Sequence, residues 1–158
     1  MAEQSSLFAS VLDNALADVK ALSIPVFTFA LYHDHESEAV SVCVDTEENS
    51  NQFVIATNHF NMRYFKKAIE IGDLQEAQLW QANIGRSLSL GDFKLVNLAR
   101  TQLNGIPIND QFYVAIVQAL VAVQARLATL APKPERLVFA CSGPNEEVAY
   151  VWSLPGNG

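Results

Sequence analysis

The chain is short of cations, cysteine and histidine, and it lacks the glycine patterns that cradle phosphates. Only 10 of its 158 residues are Lys or Arg against 17 Asp or Glu, a formal charge of −7 and an isoelectric point near 4.8. That balance argues against nucleic acid, which needs a basic footprint, and against an anionic membrane surface. It suits a soluble protein or one with a basic partner. There are two cysteines and no CxxC or Cys/His zinc spacing; Cys43 and Cys141 sit in apolar, strand-like runs and are expected free and buried. GxxxxGK[ST] and GxGxxG are absent, so no cofactor is expected. No GxSxG elbow occurs. Ser142 follows a strand-like run in CSGP, but no histidine follows it, and His33, His35 and His59 are the only three. A serine triad would need an unusual chain order, so no catalytic residue is assigned. The start, MAEQSSLFASVLDNAL, lacks a basic region followed by a long apolar run. No signal peptide is expected, and the cytoplasm is the default location.

What the chain has is apolar bulk. Half its residues are hydrophobic, which excludes bulk disorder. Its length fits one domain, 1–158, able to bury a core without metal or disulfide staples. The stretch NDQFYVAIVQALVAVQARLATL, residues 109–130, carries one charge between Phe112 and Leu130, namely Arg126. Apolar side chains cover nearly every angle of a helix drawn through it, as in a buried helix. The rest of the fold is therefore expected to pack around a central helix at about 110–130. The stretch reaches the minimum length of a membrane span. However, Gln118, Gln124 and Arg126 interrupt it and no aromatic-basic anchors flank it, so no membrane contact is expected.

In chain order, Ser5 or Ser6 can cap a first helix whose apolar stripe runs Leu7, Phe8, Val11, Leu12, Ala15, Leu16, Val19 and Leu22. Ser23-Ile24-Pro25 ends it. PVFTFALYH (25–33) and EAVSVCVD (38–45) read as an antiparallel hairpin. Asp45-Thr46-Glu47-Glu48 reads as a helix start. That helix carries Phe53, Ala56, Phe60, Tyr64, Ala68 and Ile71 on one stripe and closes at Gly72. Asp73-Leu74-Gln75-Glu76 opens a short helix to about residue 83. Over residues 87–100, SLSL-GD-FKLV reads either as a hairpin turning at Gly-Asp or as a helix. Phe93, Val96, Ala99 or Arg100, and Leu103 keep helical spacing and Asn104-Gly105 makes a stop, so the helix is favoured. Pro132 and Pro134 close the central helix. RLVFACS (136–142) and EVAYVWSL (147–154) form a second hairpin about Gly143-Pro144-Asn145. The expected architecture is α+β in the order α-β-β-α-α-α-α-β-β, with a four-stranded antiparallel sheet built from two hairpins.

Few residue groups suggest chemistry. In an extended chain His33 and His35 share a face and can aim at one metal, with His59 the only other ring nitrogen; the alternative is a polar hairpin loop. Glu47 and Glu48 are adjacent on a helix and do not face each other, so helix-start electrostatics explains them better than acid–base work. Glu146 and Glu147 read as solvated. Trp80 and Trp152 suit either core packing or a binding hot spot. Arg63, Lys66 and Lys67, beside Tyr64 and Phe65, form the densest basic cluster. In so acidic a chain they read as a solvated helix face.

FTFALYHD followed by VCVDTEEN resembles an uncharacterised bacterial domain family of about this length, whose members show a strand like YAFALYTD and then NTEE opening a helix. A later family segment reads like W-S-P-x-D-W at a helix start. Here Ser89, Asp92 and Phe93 match it, while Leu88 and Leu90 stand in place of the first Trp and the Pro. The closing helix–strand–turn–strand order is also similar. Members are often encoded near contact-dependent or secreted toxins. The resemblance therefore implies an immunity-type protein, not an enzyme, that binds a cognate toxin and blocks it.

An acidic, cytoplasmic chain would suit a toxin with a basic surface. On exposure and charge, the partner-binding candidates are Asp34, Glu36, Glu38, Glu47, Glu48, Asp73 and Glu76. Two other readings stay open. One is a small metal-dependent hydrolase built on the His33/His35 loop. The other is an acidic chaperone or adaptor for a secreted protein, which a homodimer with an apolar groove would favour.

Overall fold

A computed structural model describes residues 2–155. Helix α1 (Ala2–Ala21) starts before Ser5 and Ser6, which therefore lie inside its first turns instead of capping it. Its stripe of Phe8, Val11, Leu12, Ala15, Leu16 and Val19 is buried. Ser23 takes a left-handed φ of 51°, which lets the Ile24 N–H reach the Val19 carbonyl at 3.0 Å and ends the helix. The hairpin of β1 (Val26–Asp34) and β2 (Ala39–Thr46) forms as expected. Thr46 then caps α2 (Glu47–Glu70), its hydroxyl accepting the Asn49 N–H at 3.2 Å. At the other end Gly72, φ 74°, lets the Asp73 N–H reach the Ala68 carbonyl at 2.8 Å. Asp73 caps α3 (Leu74–Leu79) through the Glu76 N–H, 3.0 Å away.

Residues 87–100 form neither a helix nor a local hairpin: after a single 3₁₀ turn at Leu90–Asp92 they enter strand β3 (Leu95–Gln102), antiparallel to β2. Asn97 accounts for the difference. Its φ is 58°, a left-handed conformation that asparagine tolerates, and the β2–β3 register shifts between Val42 and Val44 beside it. One irregular residue breaks the two-residue alternation of a strand and leaves Phe93, Val96 and Leu103 at helix-like spacing. Asn104 and Gly105, φ 50° and 81°, form a tight turn after this strand, closed by the Ile106 N–H to Leu103 carbonyl bond. They do not stop a helix.

That strand changes the sheet. From β3 the chain crosses the sheet through α4 (Asp110–Leu130) and re-enters as β4 (Val138–Cys141), followed by antiparallel β5 (Tyr150–Ser153). A strand–helix–strand crossover returns the chain in the same direction. β4 therefore runs parallel to β3, and also to β1, which it pairs from Thr28↔Val138 to Leu31↔Cys141. The sheet has five strands in the order β3-β2-β1-β4-β5, mixed rather than four-stranded and antiparallel. The fold class, α+β, stands.

Both covering helices lie on one face, α1 over β2 and β3 and α4 over β1 and β4. Phe8, Leu12, Phe29, Leu31, Phe112, Ile116, Leu120 and Phe139 form the core between. α4 is thus a covering helix, not a central one. It buries Phe112, Tyr113, Ile116, Leu120, Val123 and Leu127, while Val114 and Val121 on its far side are 45% exposed. Alanines account for the difference. Ala122 and Ala125 face solvent; they score as apolar yet expose little area. The helix is long and apolar enough to cross a membrane, with mean hydropathy 1.6, although 28% of that window is buried in the fold.

The sheet's second face is lined by Ala30, Cys43 and Ala140, which lie under Leu90 and Phe93. A short segment, not a helix, covers these small side chains. No second helical layer is needed there, and α2 projects outward.

Candidate functional site

α2 and α3 make an arm. The 24 residues of α2 span about 36 Å, yet Ser50 and Ala68 are its only buried residues. α3 packs back on α2, where Ala68 and Ala77 allow close approach. The return segment runs along α2: the Asn58 side chain accepts the Asn83 N–H at 2.8 Å and donates to the Asn83 carbonyl at 2.9 Å. At the tip Trp80 stacks on Tyr64, centroids 4.6 Å apart, and meets Phe60 edge-on at 6.2 Å. Its indole N–H donates to Glu76 at 3.0 Å.

The foot of the arm is tightly bonded. The Arg86 guanidinium lies 3.7 Å over the Phe27 ring. It donates to the Phe27 carbonyl at 2.7 Å, to the Thr28 hydroxyl at 3.1 Å and to the Arg136 carbonyl. The Ser50 hydroxyl accepts the Ser87 N–H at 2.9 Å. One oxygen of buried Asp45 accepts from the Thr46 N–H, the Asn49 amide and the Lys94 N–H, joining β2, α2 and the approach to β3. Its other oxygen has no partner, and burial holds its pKa above the ordinary aspartate value. The arm is therefore a positioned element with a fixed root.

Its surface is unusual for a lone soluble chain. Of eighteen large hydrophobic side chains exposed among the described residues, eleven lie between Phe53 and Ile84. An open cleft of about 620 Å³ separates α2 from the return segment, lined by Met62, Phe65, Trp80, Ala82 and Ile84. Ile84 is wholly exposed.

The seven acidic candidates fall in three separate places. Asp34, Glu36 and Glu38 cluster at the β1–β2 turn. There Asp34 bonds the Glu36 and Ser37 N–H groups and pairs with Arg100 at 2.6 Å, a hydrogen bond that holds its carboxyl below the usual range. Glu47 and Glu48 lie at the opposite end of β2. Glu47 is held by Lys133 at 3.0 Å and by Arg136, beside a cleft of about 450 Å³; Glu48 is exposed. Asp73 and Glu76 sit at the arm's tip, both already bonded locally. Glu47 and Glu48 open α2 at the root of the arm, and Glu76 at its other end accepts from Trp80, which lines the apolar cleft.

His33 is a core residue, not a loop ligand. Its ring packs on Phe112 and Tyr113, its Nδ1 lies 3.1 Å from the Tyr113 hydroxyl, and its backbone N–H donates to the buried Ser142 hydroxyl at 2.9 Å. Burial, with His35 beside it, lowers its pKa. The His35 ring is 4.1 Å from it, while His59 is exposed on α2. Among the described residues no three His, Cys, Asp or Glu side chains are grouped to hold a metal ion. Both cysteines are free and buried; desolvation pushes the Cys141 thiol up to about 12. Trp152 stacks on Phe139 at 5.6 Å and donates to Gln124.

The arm's apolar residues were missed as a site because a stripe on a helix does not say whose surface it meets. A signal was present nonetheless. Ile55, Met62 and Ile69 recur seven apart, about 180° round α2 from the Phe53 stripe, more apolar faces than one sheet can cover. No protein-family model matches the chain, and no curated protein or solved structure matches it.

Proposed function

We propose that the chain acts by binding another polypeptide, as an immunity-type protein that neutralises a cognate toxin in the cytoplasm. The observation that carries a binding role is the open cleft on the arm with Ile84 fully exposed beside Met62 and Phe65. Desolvated apolar anchors of this kind concentrate binding energy. Asp73 and Glu76 at the tip and the net charge of −7 favour a basic partner and speed its encounter. The toxin identity rests on the resemblance of FTFALYHD…VCVDTEEN. The test is co-expression with the polypeptide encoded by the adjacent gene. Rescued growth and a co-purifying complex are expected, with both lost in Ile84→Glu although its circular dichroism is unchanged. Neither rescue nor complex with the unaltered chain would overturn the reading.

The same cleft favours a second reading, an acidic chaperone or adaptor. A chaperone would hold an unfolded segment of its client and leave the folded client untouched. A toxin inhibitor would bind the folded toxin and stop its activity.

A further inference from the structure

We propose that a second copy of this chain docks on the other face of the arm, its α2 antiparallel to the first, about a two-fold axis at the level of Met62. The seam is Phe53, Phe60, Tyr64 and Ile71, which are 37%, 48%, 38% and 77% exposed. These four lie within about 20° of one line along α2. Their spacing is symmetric: Phe53 and Ile71 each stand nine residues from position 62, and Phe60 and Tyr64 each stand two. A closed two-fold interface requires a self-complementary patch in which residue i meets j and j meets i. This stripe meets that requirement, setting Phe53 against Ile71 and Phe60 against Tyr64 of the other copy.

Charge selects the direction. A parallel pair would set Lys67, about 40° round α2 from the seam, beside its own copy. The antiparallel pair sets Lys67 level with Thr57 and about 15 Å along the axis from its own copy, while Arg63, one residue from the axis and about 80° off the seam, meets its own copy only at the solvent edge. Area is sufficient. The stripe, with Ala56, Thr57, part of Trp80 and the aliphatic stems of Arg63 and Lys67, offers roughly 600–800 Å² per copy, near the ~800 Å² of a standard interface. The cleft lined by Met62, Phe65 and Ile84 is on another side of α2, so this pairing does not rest on the toxin reading, and of the cleft's lining it takes up only part of Trp80.

Sedimentation of the full chain tests it. A dimer of twice 17.4 kDa is expected. Phe60→Glu and Tyr64→Glu each enter the interface twice, so each is expected to weaken it about 1,000-fold and give a monomer of unchanged helicity. Met62→Glu, on the opposite face, is expected to leave the dimer intact. Direction is read by oxidation. The double variant T57C/K67C is expected to cross-link two chains while neither single variant does. A monomer up to the solubility limit overturns the proposal. So does cross-linking by either single variant, or a dimer broken by Met62→Glu and not by Phe60→Glu.

Discussion

At the scale of single residues, buried ionisable groups set the response to pH. His33 is 4% exposed and is flanked by Phe112, Tyr113 and His35, so burial and then His35 lower its pKa. The unfolded chain therefore takes up the proton first. Stability from this group is complete above its unfolded pKa, about 6.5, and is lost as pH falls below that value. Asp45 works in the opposite sense. Its pKa is raised by desolvation, so its contribution falls as pH rises through the window above the ordinary aspartate value. Comparing the chain with His33→Gln cancels the Asp45 effect, which both share. Thermal unfolding from about pH 7.5 down to about pH 5.5 is expected to show a falling midpoint in the unaltered chain and a flatter profile in His33→Gln. Equal slopes would remove His33 as the source.

At the scale of elements, legibility followed how local each determinant was. The β1–β2 hairpin, the Thr46 and Asp73 caps and the Gly72 stop are each decided within a few residues, and all appear where the sequence placed them. β3 was hidden because one residue, Asn97, left the strand conformation and reset the spacing around it. The orientation of β4 followed from β3 and was lost with it. α4 was read as buried all round because its alanines resemble core in a hydropathy count. The acidic candidates could be located as loops and helix starts, but whether Asp34 or Glu47 was already paired depended on Arg100, Lys133 and Arg136, distant in sequence. Arg86 shows the same limit: its three acceptors lie 50 to 59 residues away. Arg86→Ala leaves the Phe27 and Arg136 carbonyls without that donor and removes the cation over the Phe27 ring. It is expected to cost about 2–4 kcal/mol. Denaturant titration measures the loss, and hydrogen exchange should show it concentrated in residues 80–90 at the root of the arm.

At the scale of the whole molecule, the arm and the sheet differ in how far apart their contacts lie along the chain. The arm's partners, such as Asn58 and Asn83, are 25 residues apart, whereas Thr28 waits for Val138, 110 residues later. Short loops close sooner than long ones. Stopped-flow refolding is therefore expected to show early helical signal and a later step. Phe139→Leu in β4 should slow the later step, and Ala77→Gly in α3 should leave it unchanged. Slowing by Ala77→Gly instead would place the arm in the late step.

The parallel pairing has a consequence for synthesis. β1, with its apolar FTFAL run, leaves the ribosome with one edge unpaired, and that edge stays open until β4 is made. At 5–20 residues per second the wait is roughly 5–20 s, during which an unpaired apolar strand can capture other chains. Each nascent chain thus has an interval in which correct folding depends on the rate of translation, and slow codons between the two strands would lengthen it.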